Sequence, residues 1–189
     1  TPGAASVAFG AQVTVGTLNT AAYHWDTSSD GTNWFLVHQN AAAALRIDRF
    51  TTTTSTHNAS LAMTAGNCPC SIWASSAQAK VWVGYYDDPT TTGNVGFAVY
   101  VSADLTLHKG ATTIATNAYD YGPALIGPYR VPAGVALSAT AALCVYRTIS
   151  TTGATPQASG LVYRVIYNDA TVTSSACSFM NTLPLSKPD

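Results

Sequence analysis

The chain contains no glutamate. Its 189 residues carry eight Lys and Arg and nine acidic side chains, all of them Asp, so charged residues make up 9%, where a soluble domain usually has roughly a quarter. That scarcity argues against several classes of protein. A nucleic-acid-binding module needs clustered Lys and Arg to release counterions, and here the net charge is −1. Acid–base and metal chemistry need carboxylates and imidazoles in groups, and the four histidines and nine aspartates are scattered. Long apolar runs are missing as well. Mean hydropathy is +0.14, yet no run reaches the roughly 18 residues of a membrane span, so no membrane partner is expected.

Ser, Thr, Ala and aromatic residues fill the gap, with ten Tyr and four Trp. A dispersed monomer normally relies on charge. Either hydroxyls and amides keep this surface wet, or other subunits cover it. Thr1 is not a start Met and Thr1-Pro2-Gly3-Ala4-Ala5 is not a signal peptide, so a processed N-terminus is expected. Among the cysteines, Cys68 and Cys70 flank Pro69 and are poorly placed to bridge each other. Cys144 lies in an apolar run and reads as a small core residue. A bridge from Cys68 or Cys70 to Cys177 stays open, with free thiols in a reducing compartment the expectation.

Strand patterning dominates. Strands are expected at Ala5–Val15, Asn33–Gln39, Ala59–Ala65, Lys80–Asp87, Val95–Ser102, Thr112–Tyr119, Val135–Arg147 and Gly160–Asn168. Connectors rich in Pro, Gly, Ser or Thr lie between several of them. Only Asn40–Phe50 reads as helix, capped by Asn40 and followed by four alanines. The fold class is therefore all-β. The expectation is a single eight-stranded jelly-roll β-sandwich over residues 1–169, with one short helix between strands C and D (the second and third above) and an extended C-terminal arm over 170–189.

Candidate chemistry is sparse. Asp26, Ser28, Asp30 and Gly31 begin like a calcium loop, but the Glu needed at the twelfth position is Val37, and a polar turn is expected instead. Asp87 and Asp88, the only adjacent carboxylates, precede Pro89 and suit a turn. No Gly-x-Ser-x-Gly elbow occurs. No catalytic residue, metal ligand or cofactor is expected, and the chain is not read as an enzyme. Trp34 and Trp82, inside strands with apolar neighbours, are expected in the core. Trp25 and Trp73, in expected loops, are placed for a neighbouring subunit or a ligand. Asn58-Ala59-Ser60 is a glycosylation sequon if the chain is secreted. Arg46 and Arg49 are the only close pair of cations and the one candidate phosphate contact.

At Asn33-Trp34-Phe35-Leu36-Val37-His38-Gln39-Asn40 the chain resembles a known family. A Trp-led strand ends in Gln-Asn, small residues lead to Leu45-Arg46, and a second strand ends in Ala65-Gly66-Asn67. A Trp73 loop, the strand Val81-Trp82-Val83-Gly84-Tyr85 and the closing Met180-Asn181-Thr182-Leu183-Pro184-Leu185-Ser186 continue it. This is similar to the small coat protein of comoviruses and fabaviruses, picorna-like plant viruses of the secovirid family. The pattern departs from it at Thr51-Thr52-Thr53-Thr54, where the family usually has an aromatic-rich, often basic stretch, so a diverged relative such as a fabavirus fits better than a comovirus proper.

The resemblance implies a structural capsid subunit cut from a polyprotein, forming one jelly roll. Copies of itself would gather around the five-fold axes of an icosahedral virion assembled in the host-cell cytoplasm, beside a larger two-domain coat protein. Genomic RNA would be enclosed but only weakly contacted, with Arg46 and Arg49 the candidates. Intersubunit loops would carry Trp25, Asp30, Cys68, Cys70, Trp73 and Thr155, the loops Gly16–Thr32, Gly66–Ala79, Ala103–Ala111 and Thr148–Ser159 gathering at one end. The alternative is a secreted or phage-borne β-sandwich module for carbohydrate binding or adhesion, whose turns Asp26–Trp34 resembles.

Overall fold

The computed structural model describes residues 25–39, 44–51, 55–62, 70–87, 92–120, 132–150, 158–167 and 177–180. They are all-β and contain no helix. Strands β1 (Trp25–Ser29), β2 (Trp34–Gln39), β3 (Ala44–Phe50) and β4 (Ser55–Ala62) form a first antiparallel sheet. A second comprises β5 (Cys70–Ser75), β6 (Lys80–Asp87), β7 (Thr92–Val101) and β8 (Leu107–Asp120). The third comprises β9 (Ala133–Ala136), β10 (Ala141–Ser150), β11 (Ala158–Tyr167) and β12 (Cys177–Met180). Within each sheet, neighbours in space are neighbours in sequence.

The second sheet lies between the other two, and the sequence of its inner strands shows why. Val81-Trp82-Val83-Gly84-Tyr85-Tyr86 in β6 and Val95 to Val101 in β7 are nearly unbroken apolar runs, the pattern of strands covered on both faces. One face presents Ile72, Val83, Ala98 and Tyr100 to Phe35, Val37, Leu45 and Ile47 of the first sheet. The opposite face presents Trp73, Trp82, Phe97 and Val99 to Cys144, Tyr146, Val162 and Ile166 of the third. Burial there pushes the Cys144 thiol up to about 12, and burial likewise puts the Tyr100 hydroxyl at about 12 on the other side. Trp73 stacks on Trp82 with ring centroids 6.1 Å apart. At Gly134 in β9 a Cβ would fall inside the Trp73 indole, so only glycine lets the third sheet approach β5 this closely.

Polar side chains tie the layers together. β5 is the first strand of its sheet, and its Ile72 and Ala74 N–H groups donate to Asp26 Oδ2 and Ser28 Oγ of β1, each at 2.9 Å. Gln78, buried in the β5–β6 turn, donates to the carbonyls of Ser138 and Ala141 and accepts the Trp82 indole N–H at 2.7 Å. Ser71 donates to the Pro132 carbonyl, Arg164 to that of Ile114, and Arg49 to that of Ala103.

Several sequence expectations are corrected. Residues 44–50, expected within the helix between strands C and D, form β3. Leu45 and Ile47 alternate with Arg46, and pairing with β2 and β4 outweighs an alanine-led helix tendency. Among the described residues there are twelve strands in three antiparallel sheets, and the pairings described there join strands adjacent in sequence. The expected strand Val135–Arg147 is broken by a turn in which Ser138 Oγ accepts from the Thr140 and Ala141 N–H groups. Within the expected loops, Trp25–Ser29, Cys70–Ser75 and Leu107 to Ala111 are strand. The expected arm over 170–189 contributes β12, paired with β11. The expected strand Ala5–Val15, together with Cys68 and Thr155, lies outside the described residues.

Candidate functional site

With the middle sheet covered on both sides, the surfaces left for partners include the outward faces of the two outer sheets. On the third sheet, register sets out three rows across β9, β10 and β11. They read Ala133–Val145–Tyr163, Val135–Leu143–Val165, and Leu137–Ala141–Tyr167. No charged side chain occurs among them, although an antiparallel sheet facing water ordinarily turns polar residues outward. Val135 and Leu137 are each 54% exposed.

The outward face of the first sheet is built differently. Its rows across β1, β2 and β3 read Trp25–His38–Arg46, Thr27–Leu36–Asp48, and Ser29–Trp34–Phe50. Trp25 is 64% exposed and Trp34 61%, unusual for the bulkiest apolar side chain. Beside them Asp48 accepts from Arg46 Nε at 3.0 Å and lies 3.1 Å from His38 Nε2. A carboxylate holding an imidazole is part of a nucleophile relay, but His38 and Asp48 are each only 2% exposed, which closes the pair to any substrate. Its work here is to neutralise Arg46 and fix β2 to β3.

The expected site residues separate. Arg46 and Arg49 are on β3, not on a helix, and three residues apart in a strand puts them on opposite faces. Arg46 pairs with Asp48 at 2.9 Å, while Arg49 turns inward to the Ala103 carbonyl, with Asp104 beside it. Neither pattern makes a phosphate cluster. Trp25 is at the surface as expected, though on a strand rather than a loop. Cys70 and Trp73 are corrected: both lie in β5 and are buried in their own chain, so neither sits in an intersubunit loop. Trp82 is buried as expected, but Trp34 is not. Phe35 and Val37 take the inward positions of β2, and alternation turns Trp34 out.

Asp30 closes the β1–β2 hairpin. Its Oδ1 accepts from the Thr32 and Asn33 N–H groups at 2.9 and 2.7 Å. Burial pushes this carboxyl up, but the bonds from Asn33 and Thr32 outweigh that and hold it below the usual range. Asp26 and Ser28 face β5 while Asp30 serves its own turn, so the calcium-loop residues point to separate tasks. Among the described residues no three His, Cys, Asp or Glu side chains converge on a metal position. Gln78 carries more structural weight than its sequence context suggests, and a lone Gln in a Ser/Ala turn gives no signal of it. Comparison with family models, with curated proteins and with solved structures finds no match to this chain.

Proposed function

We propose that the chain is a structural subunit of a protein shell, in the manner of the small coat protein of a comovirus- or fabavirus-like plant virus. The observation that carries this is the three uncharged rows Ala133–Val145–Tyr163, Val135–Leu143–Val165 and Leu137–Ala141–Tyr167 on the third sheet, in a chain with 9% charged residues overall. Such a face is costly in water and favourable against another subunit. Copies of the chain would meet around the five-fold axes of an icosahedral virion, beside a larger coat protein. With Arg46 neutralised and Arg49 turned inward, enclosed RNA would be held mainly by that partner. An eight-stranded jelly roll would need strands far apart in sequence to lie side by side, and the sequential order of each described sheet does not supply that. Support for a coat subunit therefore comes from the faces of the layers rather than from their connectivity.

Light scattering and negative-stain microscopy of the chain, alone and co-expressed with candidate larger partners, test this. Uniform particles are expected, and Val145→Lys with Val165→Lys should reduce them to single folded chains. A wild-type chain that stays monomeric in both settings would sink the proposal.

A further inference from the structure

The two exposed indoles of the first sheet carry an inference that does not depend on the coat assignment. Trp25 opens β1 and pairs with His38, four positions along β2 from Trp34. Strand geometry puts their Cα atoms about 14 Å apart on one face. The hairpin holding them is rigid at both ends. Asp26 and Ser28 fasten β1 to the middle sheet, and Asp30 locks the turn. Exposed indoles on so fixed a support are pre-organised, which lowers the ordering cost of binding.

The remaining face decides what they would hold. A polyanion finds no uncompensated positive charge, because Arg46 is paired with Asp48. A protein partner of ordinary type wants a continuous apolar centre, which the third sheet has. Here Thr27, Ser29 and Arg46 interrupt it, while His38 and Asp48 are buried beneath the surface. What fits is a neutral, extended ligand with C–H faces to lie on the electron-rich indoles and hydroxyl edges for the polar groups between. We infer that this face binds a neutral polysaccharide chain, spanning from Trp25 to Trp34 across several sugar rings.

The test uses the full chain with microcrystalline cellulose, chitin and insoluble xylan as probes, measured by co-sedimentation. Poly(U) titration and particle assembly are followed in parallel. Wild type should sediment with at least one polysaccharide. Trp25→Ala and Trp34→Ala should each weaken that binding about tenfold, and the double variant should abolish it. Leu107→Ala, at an exposed position on another sheet, should bind as wild type. Because both indoles are exposed, urea midpoints should not move, which separates lost binding from lost folding. Binding to none of the three polysaccharides, or a double variant that binds as well as wild type, would overturn the inference. So would quenching by poly(U) that the double variant loses. If the double variant instead loses assembly and wild type binds no sugar, the face belongs to copies of the chain. Sugar binding that persists without particles would leave this site standing and remove the coat proposal.

Discussion

The two outer layers pack on the same middle sheet with similar apolar inner faces, yet their outer faces have opposite chemistry. The first presents two isolated indoles among hydroxyls and a closed Arg46–Asp48–His38 network. The third presents aliphatic and tyrosine side chains in three uninterrupted rows. An outer sheet needs only one apolar face to fold, so the chemistry of the other face is available for interactions outside the chain. A face with no polar interruption suits a large, dry contact. One with a rigid polar frame around separate aromatics suits a ligand that has both kinds of surface.

Breaking the polar frame should have the larger effect on stability. Asp48→Ala strands Arg46 and leaves His38 without its carboxylate. A loss of about 3–4 kcal/mol is expected in urea unfolding, and a variant within experimental error of wild type would show that the network is not holding the first layer. Next comes the seat of the third layer. Gly134→Ala puts a methyl group into the Trp73 indole and should cost about 2–3 kcal/mol, with red-shifted tryptophan emission as Trp73 and Trp82 meet water. Unchanged emission would mean that β9 does not rest on Trp73. The smallest effect is at the hairpin. Asp30→Ala should cost about 1 kcal/mol at neutral pH. Because the folded carboxyl sits below 3.8, its contribution is present above that pH and is lost as pH falls through the folded value. The gap between wild type and variant should narrow only in strong acid, and a gap that closes near neutrality would contradict the turn assignment.

The all-β class was legible in the sequence because period-two alternation and the apolar runs of β6 and β7 are properties of single strands. The expected strand Lys80–Asp87 has the same bounds as β6. What needed tertiary information was phase and partnership. Trp34 lies in a strand with apolar neighbours, and only the inward placement of Phe35 and Val37 shows that it faces out. Residues 44–50 follow a run of alanines that favours a helix, while Leu45 and Ile47 alternate as in a strand, and pairing with β2 decides for the strand. Cys70–Ser75 holds two serines, a cysteine and an alanine and reads as loop, yet it becomes a strand because β6 pairs along one edge while Asp26 and Ser28 satisfy N–H groups of the other. Of the candidate site, Trp25 was legible as a surface residue, whereas the three uncharged rows of the third sheet emerge only once three strands are placed in register.

The sequential order of the sheets also bears on time. Residues 70–120 can form the middle sheet from contacts near in sequence, the kind that closes fastest, and neither outer layer has a face to dock on until it exists. Amide exchange is therefore expected to be slowest in β6 and β7, which open only when both neighbours have left, and faster in the outer strands β4 and β12. Built this way, the molecule would assemble from its centre outward, its two outward faces being completed last.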